Sequence, residues 1–91
     1  MGIPTQFSLN QNYPNPFNPT TTLQYDLPKS SHVKLVVYNT KGQLMATLVD
    51  GFLEVGRYKE KINAAGWPSG IYFARLVAGA KTFVKKMILL E

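Results

Sequence analysis

Thr20-Thr21-Thr22-Leu23-Gln24-Tyr25-Asp26-Leu27, then Pro28-Lys29-Ser30-Ser31, then His32-Val33-Lys34-Leu35-Val36-Val37-Tyr38-Asn39 is the stretch that decides the fold. Its first part alternates, with Leu23, Tyr25 and Leu27 on one side and Thr22, Gln24 and Asp26 on the other, the period-two pattern of a half-buried strand. The proline and serines make a turn. Residues 32–39 repeat the pattern, with Val33, Leu35 and Val37 on one face and Lys34, Val36 and Tyr38 on the other. Two strands joined by a short turn cannot sustain themselves in water, so the rest of the chain must supply further sheet.

Downstream the same pattern continues. Asn39-Thr40-Lys41-Gly42 reads as a tight hairpin connection with glycine at a positive φ, leading into a third strand over residues 43–49. Asp50-Gly51 is a turn signal, and residues 51–55 read as a loop or one short helical turn. Gly56–Asn63 alternates Tyr58, Glu60 and Ile62 against Arg57, Lys59 and Lys61, so one face is strongly basic and Glu60 interrupts the apolar row. Residues 64–69, carrying Trp67-Pro68, form a loop into Gly70–Ala78. That segment is apolar on both faces, with Ile71 and Phe73 on one and Tyr72, Ala74 and Leu76 on the other, which marks a central strand. Ala78-Gly79-Ala80 turns into a last strand over residues 81–90.

Upstream, Asn12-Tyr13-Pro14-Asn15-Pro16-Phe17-Asn18-Pro19 admits neither helix nor central strand, because each X-Pro step removes a backbone donor and extends the residue before it. It must be an ordered or extended loop, with asparagines able to bond their own backbone and with Tyr13 and Phe17 expected to pin it to a core. Residues 7–9 are a candidate seventh strand. Strands at intervals of roughly ten to twelve residues, with no 3.6-residue periodicity, describe an all-β chain. The expected fold is a single immunoglobulin-like β-sandwich of about seven antiparallel strands.

Ninety-one residues allow one domain. Residues 1–6 read as a leader or linker remnant without the pattern of a signal peptide, and residues 7–91 as the domain. No apolar run has the roughly 20 residues of a membrane helix, and membrane insertion is not expected. The absence of cysteine removes thiolate nucleophiles, disulfides and Cys-ligated metal sites. The net charge of +5 is unevenly placed. Up to Gly56, Lys29, Lys34 and Lys41 balance Asp26, Asp50 and Glu54; the whole excess comes from Arg57 onward. Such asymmetry can mark a contact surface, or simply strands whose lysines deter edge pairing.

Catalytic material is thin. His32, the only imidazole, stands beside Ser30 and Ser31 at a strand entrance, where a surface histidine is the simpler reading, and a triad would need an orienting acid and an oxyanion hole. No glycine-rich strand–helix junction offers a phosphate cradle. Asp26, Asp50, Glu54 and Glu60 are too dispersed for a calcium loop. No catalysis, cofactor or metal is expected. Tyr58, Tyr72 and Trp67 could stack on sugars if exposed, but alternation places the tyrosines toward the core and a lone tryptophan suits the open end of a sandwich.

Three stretches together are specific. Phe7-Ser8-Leu9-Asn10-Gln11-Asn12-Tyr13-Pro14-Asn15-Pro16-Phe17-Asn18-Pro19-Thr20-Thr21 resembles the opening of the type A C-terminal sorting domains of the Bacteroidetes type IX secretion system. Pro68-Ser69-Gly70-Ile71-Tyr72-Phe73-Ala74-Arg75-Leu76 is similar to that family's glycine–tyrosine motif, and Lys85-Lys86-Met87-Ile88-Leu89-Leu90 to its terminal basic-then-aliphatic motif. Residues 33–39 and Gly42 fit its middle strand and turn. Two departures stand out: the chain ends in Glu91 where the family often has a base, and Glu60 and Ile62 stand where a valine-like and an aromatic residue are common.

The resemblance implies an address at the C-terminus of a larger exported protein. Cargo upstream reaches the periplasm, is directed through the type IX outer-membrane translocon with its outer-membrane shuttle protein, and ends at the cell surface or in the medium. A sortase-like cysteine peptidase then removes the domain. Such a signal needs a stable shape and an accessible strand edge. Residues 81–91 are the expected recognition element, offering backbone groups for β-augmentation with Lys85 and Lys86 steering toward an acidic partner. A carbohydrate-binding or adhesion module and a passive structural spacer are the alternative readings; nucleic acid is not an expected partner.

Overall fold

A computed structural model describes residues 2–90; Met1 of the leader and the terminal Glu91 lie outside the described residues. The chain forms seven strands and, among those residues, no helix: β1 (Ser8–Leu9), β2 (Thr20–Leu27), β3 (Ser31–Asn39), β4 (Leu44–Leu53), β5 (Gly56–Asn63), β6 (Gly70–Ala78) and β7 (Lys81–Leu89). All strand pairs are antiparallel. They make a three-stranded sheet ordered β1-β2-β5 and a four-stranded sheet ordered β4-β3-β6-β7, the arrangement of an immunoglobulin-like sandwich in which the fourth strand has joined the second sheet.

The alternation seen in the sequence is what builds the core. Leu23, Tyr25, Leu27 and Ile62 from the first sheet meet Val33, Leu35, Val37, Ala74, Leu76 and Met87 from the second. Each set lies on one side of its strand because successive side chains point to opposite faces. Glu60, which breaks the apolar row of β5, is accounted for by Tyr25: the phenol hydroxyl donates to Glu60 Oε2 at 3.0 Å, and its ring stacks on Tyr58 with centroids 5.4 Å apart. Burial, reinforced by that carboxylate, holds the Tyr25 phenol well above its ordinary range, so it remains the donor. β6 is interior to its sheet as expected, and Gly42 and Gly79 take positive φ values of 78° and 58° in the turns.

Asp50-Gly51 is not a turn, and residues 51–55 are neither loop nor helix up to Leu53. β4 runs straight through, with Asp50 opposite Lys34 and Gly51 opposite Val33. Asp50 also lies 3.5 Å from His32 Nε2. The backbone ladder to β3 continues without a break from Asp50 to Leu53, and that pairing overrides the local turn preference. The reversal comes instead at Glu54-Val55, where the Tyr58 hydroxyl donates to the Glu54 carbonyl. Two register shifts, between Leu35 and Val36 and between Val37 and Tyr38, insert extra residues into β4, as β-bulges do on edge strands.

Candidate functional site

The asparagine–proline loop crosses the open side of the sandwich and reaches the last strand. Asn12 is buried and fixes the loop, donating through Nδ2 to Thr21 Oγ1 (3.0 Å) and to the Pro14 carbonyl (3.1 Å). Thr21 Oγ1 donates to the same carbonyl at 2.7 Å. Phe17 is 2% exposed and sits in the core. Its backbone brackets the end of β7: Phe17 N donates to the Ile88 carbonyl and Leu90 N donates to the Phe17 carbonyl, both at 2.9 Å. Asn15 Oδ1 accepts from Ile88 N at 2.9 Å, and Gln11 Nε2 donates to the Lys86 carbonyl at 2.7 Å. The Pro14, Asn15, Pro16, Asn18 and Pro19 side chains remain at the surface; the peptide bonds before all three prolines are cis.

Tyr13 departs from expectation. It is 82% exposed, because its backbone pairs with Thr22, and a residue directly opposite Thr22 shares that residue's outward direction. The loop is pinned by Phe17 and Asn12.

The glycine–tyrosine stretch runs beside the last strand. Gly70 stands opposite Leu89 and Tyr72 opposite Met87. Gly70 has a φ of +148°, in the region open to glycine. The buried Tyr72 hydroxyl donates to the Pro68 carbonyl four residues upstream, the bond that fixes a strand-entry corner in sandwiches of this kind, and burial pushes its phenol upward. Trp67 leans on Tyr72 with ring centroids 5.2 Å apart and closes the end of the sandwich beside a groove of ≈ 610 Å³ lined by Asn18, Pro19, Gly66, Leu89 and Leu90. Tyr72→Phe is expected to cost about 1 kcal/mol, read as a fall of about 4–8 °C in the thermal midpoint.

β7 sorts the terminal stretch by parity. Met87 and Leu89 point inward and are buried, whereas Lys86, Ile88 and Leu90 belong to the outer set, with Lys86 and Leu90 exposed. Lys85 shares the inward set and is half-buried, so the two lysines do not form one cationic pair on one face. The basic excess is likewise divided: Arg57, Lys59 and Lys61 line the outside of the three-stranded sheet, Arg75 and Lys86 the outside of the other. The expected strand edge is only half open. β7 is an edge strand, but from the Lys86 carbonyl to Leu90 its outer edge is already bonded by Gln11, Asn15 and Phe17. Among the described residues no bond reaches it at Thr82 or Val84, whose backbone groups share that direction by the two-residue period of an antiparallel ladder.

The structure thus brings together all three sequence stretches at one side and end of the sandwich. Asn12 and Gln11, the polar anchors of this assembly, were not singled out from sequence; asparagine two residues before a proline in an aromatic-bearing loop is the signal that carried one of them. Tyr58 and Tyr72, the candidate sugar-stacking rings, are occupied by Tyr25 and by the core. His32 is exposed beside Asp50, and Ser31 Oγ donates to the Lys29 carbonyl. No group of three metal-binding side chains occurs among the described residues, and among them no helix is long and apolar enough to cross a membrane. Residues 11–90 match the sequence family described as the secretion system C-terminal sorting domain. No curated protein and no solved structure matches the chain.

Proposed function

Because the chain belongs to the secretion system C-terminal sorting domain family, we propose that it is a non-catalytic address for a cargo joined upstream, read by the type IX outer-membrane translocon and its shuttle protein. Membership of the family makes it a type IX secretion sorting signal, and the protein that carries it one exported to the cell surface or secreted. After passage a sortase-like cysteine peptidase removes the domain.

The observation that carries the reading is the family match over residues 11–90. The geometry supports it in a specific way: the three stretches that mark the family hold one another in place around β7, so the address is a folded surface. Within it Lys86, Ile88 and Leu90 face outward for a partner, and Met87 and Leu89 keep the strand seated. Lys85 and Lys86 supply charge toward that partner from the two sides of the strand.

The reading is tested by fusing the domain behind a signal peptide and a reporter in a bacterium with a type IX system. The reporter is expected at the surface or in the medium, and in the periplasm when the translocon is deleted. Lys86→Ala, at an exposed position, should lower export several-fold while leaving stability nearly unchanged; Lys85→Ala, in the half-buried inward set, is read with its thermal midpoint beside it. A reporter held in the periplasm by a folded wild-type domain overturns the reading.

A further inference from the structure

β6 carries apolar residues on both faces, yet only one face of its sheet is covered. On the side away from the other sheet, Leu44, Tyr38 and Phe73 stand in one cross-strand row with Lys86, and Thr47, Val36, Arg75 and Val84 in the next, where Val36 is only 1% exposed. Ile71 and Ile88 extend the surface beyond them. Leu44, Val84 and Ile71 are 57%, 55% and 39% exposed. An antiparallel sheet with one solvated face normally shows polar residues there, and a contiguous apolar face marks an interaction surface.

A second observation says what kind of surface covers it. The Arg75 guanidinium lies 5.0 Å over the Tyr38 ring and donates from Nη2 to the Tyr38 hydroxyl at 2.8 Å. Its Nε is shielded from water and has no hydrogen-bond partner. Among the described residues no carboxylate pairs with it; the ion pairs there are His32–Asp50 and Arg57–Asp26. A cation held still amid apolar side chains is stabilised when a carboxylate meets it as water leaves. Lys34 and Lys86 flank it on the same face.

We infer that the outer face of the four-stranded sheet is the docking surface for a folded protein of the secretion machinery, one whose apolar patch carries a carboxylate opposite Arg75 and acidic groups toward Lys34 and Lys86. The inference rests on the sorting function proposed above. A second copy of this chain is disfavoured by charge, since the face bears three bases, Lys34, Arg75 and Lys86, against one acid, Asp50. A lipid surface offers phosphates at any lateral position and does not require a guanidinium fixed by a tyrosine.

The test uses the same reporter fusion. Leu44→Lys with Val84→Lys is expected to lower export at least tenfold, and Lys34→Glu with Lys86→Glu several-fold, with thermal midpoints within a few degrees of wild type. Lys59→Glu with Lys61→Glu, on the outside of the other sheet, should export within twofold of wild type. Wild-type export undiminished in the face variants, or lost equally in the Lys59/Lys61 variant, overturns the face and leaves the sorting function standing. No export of the wild-type fusion overturns both. A dimer in sedimentation, or flotation with phosphatidylglycerol vesicles, that Leu44→Lys with Val84→Lys abolishes would replace the protein partner by a second copy or by lipid and overturn the inference.

Discussion

Removing residues 87–91 is expected to leave a chain with no cooperative unfolding transition. Met87 is fully buried and Leu89 is 3% exposed, both in the single core that joins the two sheets. Losing a buried side chain of this size costs about 2–5 kcal/mol, and a domain of this length has on the order of 5–14 kcal/mol in total. The truncation removes both side chains and more. Gly70, Ile71 and Tyr72 lose their ladder partners, and the asparagine–proline loop loses Ile88 and Leu90, its anchors on the second sheet. Circular dichroism on heating should show a broad, non-sigmoidal change, and proton NMR a collapsed dispersion. A sharp transition near the wild-type midpoint would mean that the end of β7 is dispensable to the core.

The result bears on how the signal is to be dissected. A cargo that fails to leave the cell after such a truncation has lost its fold as well as its terminal residues, so the experiment cannot assign recognition to them. Parity within the strand offers the separation: Lys86 and Leu90 can be changed at the surface, while Met87 and Leu89 cannot be changed without loosening the sandwich.

How far this was readable from residues alone follows from the range of the interactions involved. Strand positions were legible because alternation and turn residues are local. The bounds of β2, β5 and β6 are those expected from the sequence, and the hairpin glycine at residue 42 has its positive φ. At Asp50-Gly51 the turn signal is local, whereas what keeps β4 extended there is its backbone ladder to Ser31–Lys34 on another strand. Its two bulges break the period of two, and the number of residues facing inward can no longer be counted from the sequence. The capping of β7 was invisible for a stronger reason. Asn15 and Ile88 are 73 residues apart, and nothing near either one announces the other. The apolar outer side of β6 was legible as composition, but which of its two apolar faces meets the other sheet was not.

Phe17 and Tyr13 make the sharpest case, and the effect expected at Phe17 is the second large one. Both are aromatic, both stand in the same proline-rich loop, and both precede or follow a proline within one residue. Register alone separates them: Tyr13 is paired with Thr22 on the outer side of its sheet, and Phe17 bridges to Leu89 and fills the core. Phe17→Ala should therefore cost about 3–5 kcal/mol, since a buried phenyl ring is lost and a cavity remains where β7 and the loop meet. Tyr13→Ala, at a residue 82% exposed, should stay within about 0.5 kcal/mol of wild type. Urea unfolding reads the difference directly: with a slope of about 1–3 kcal/mol per molar, the Phe17 midpoint should fall by one molar or more while that of Tyr13 hardly moves. Equal shifts would mean that the loop is held by its asparagine bonds and that the phenyl ring contributes little. The unequal result would show that the loop is a structural part of the sandwich, seated by one side chain, and that the shape presented by β7 depends on a residue from the opposite end of the chain.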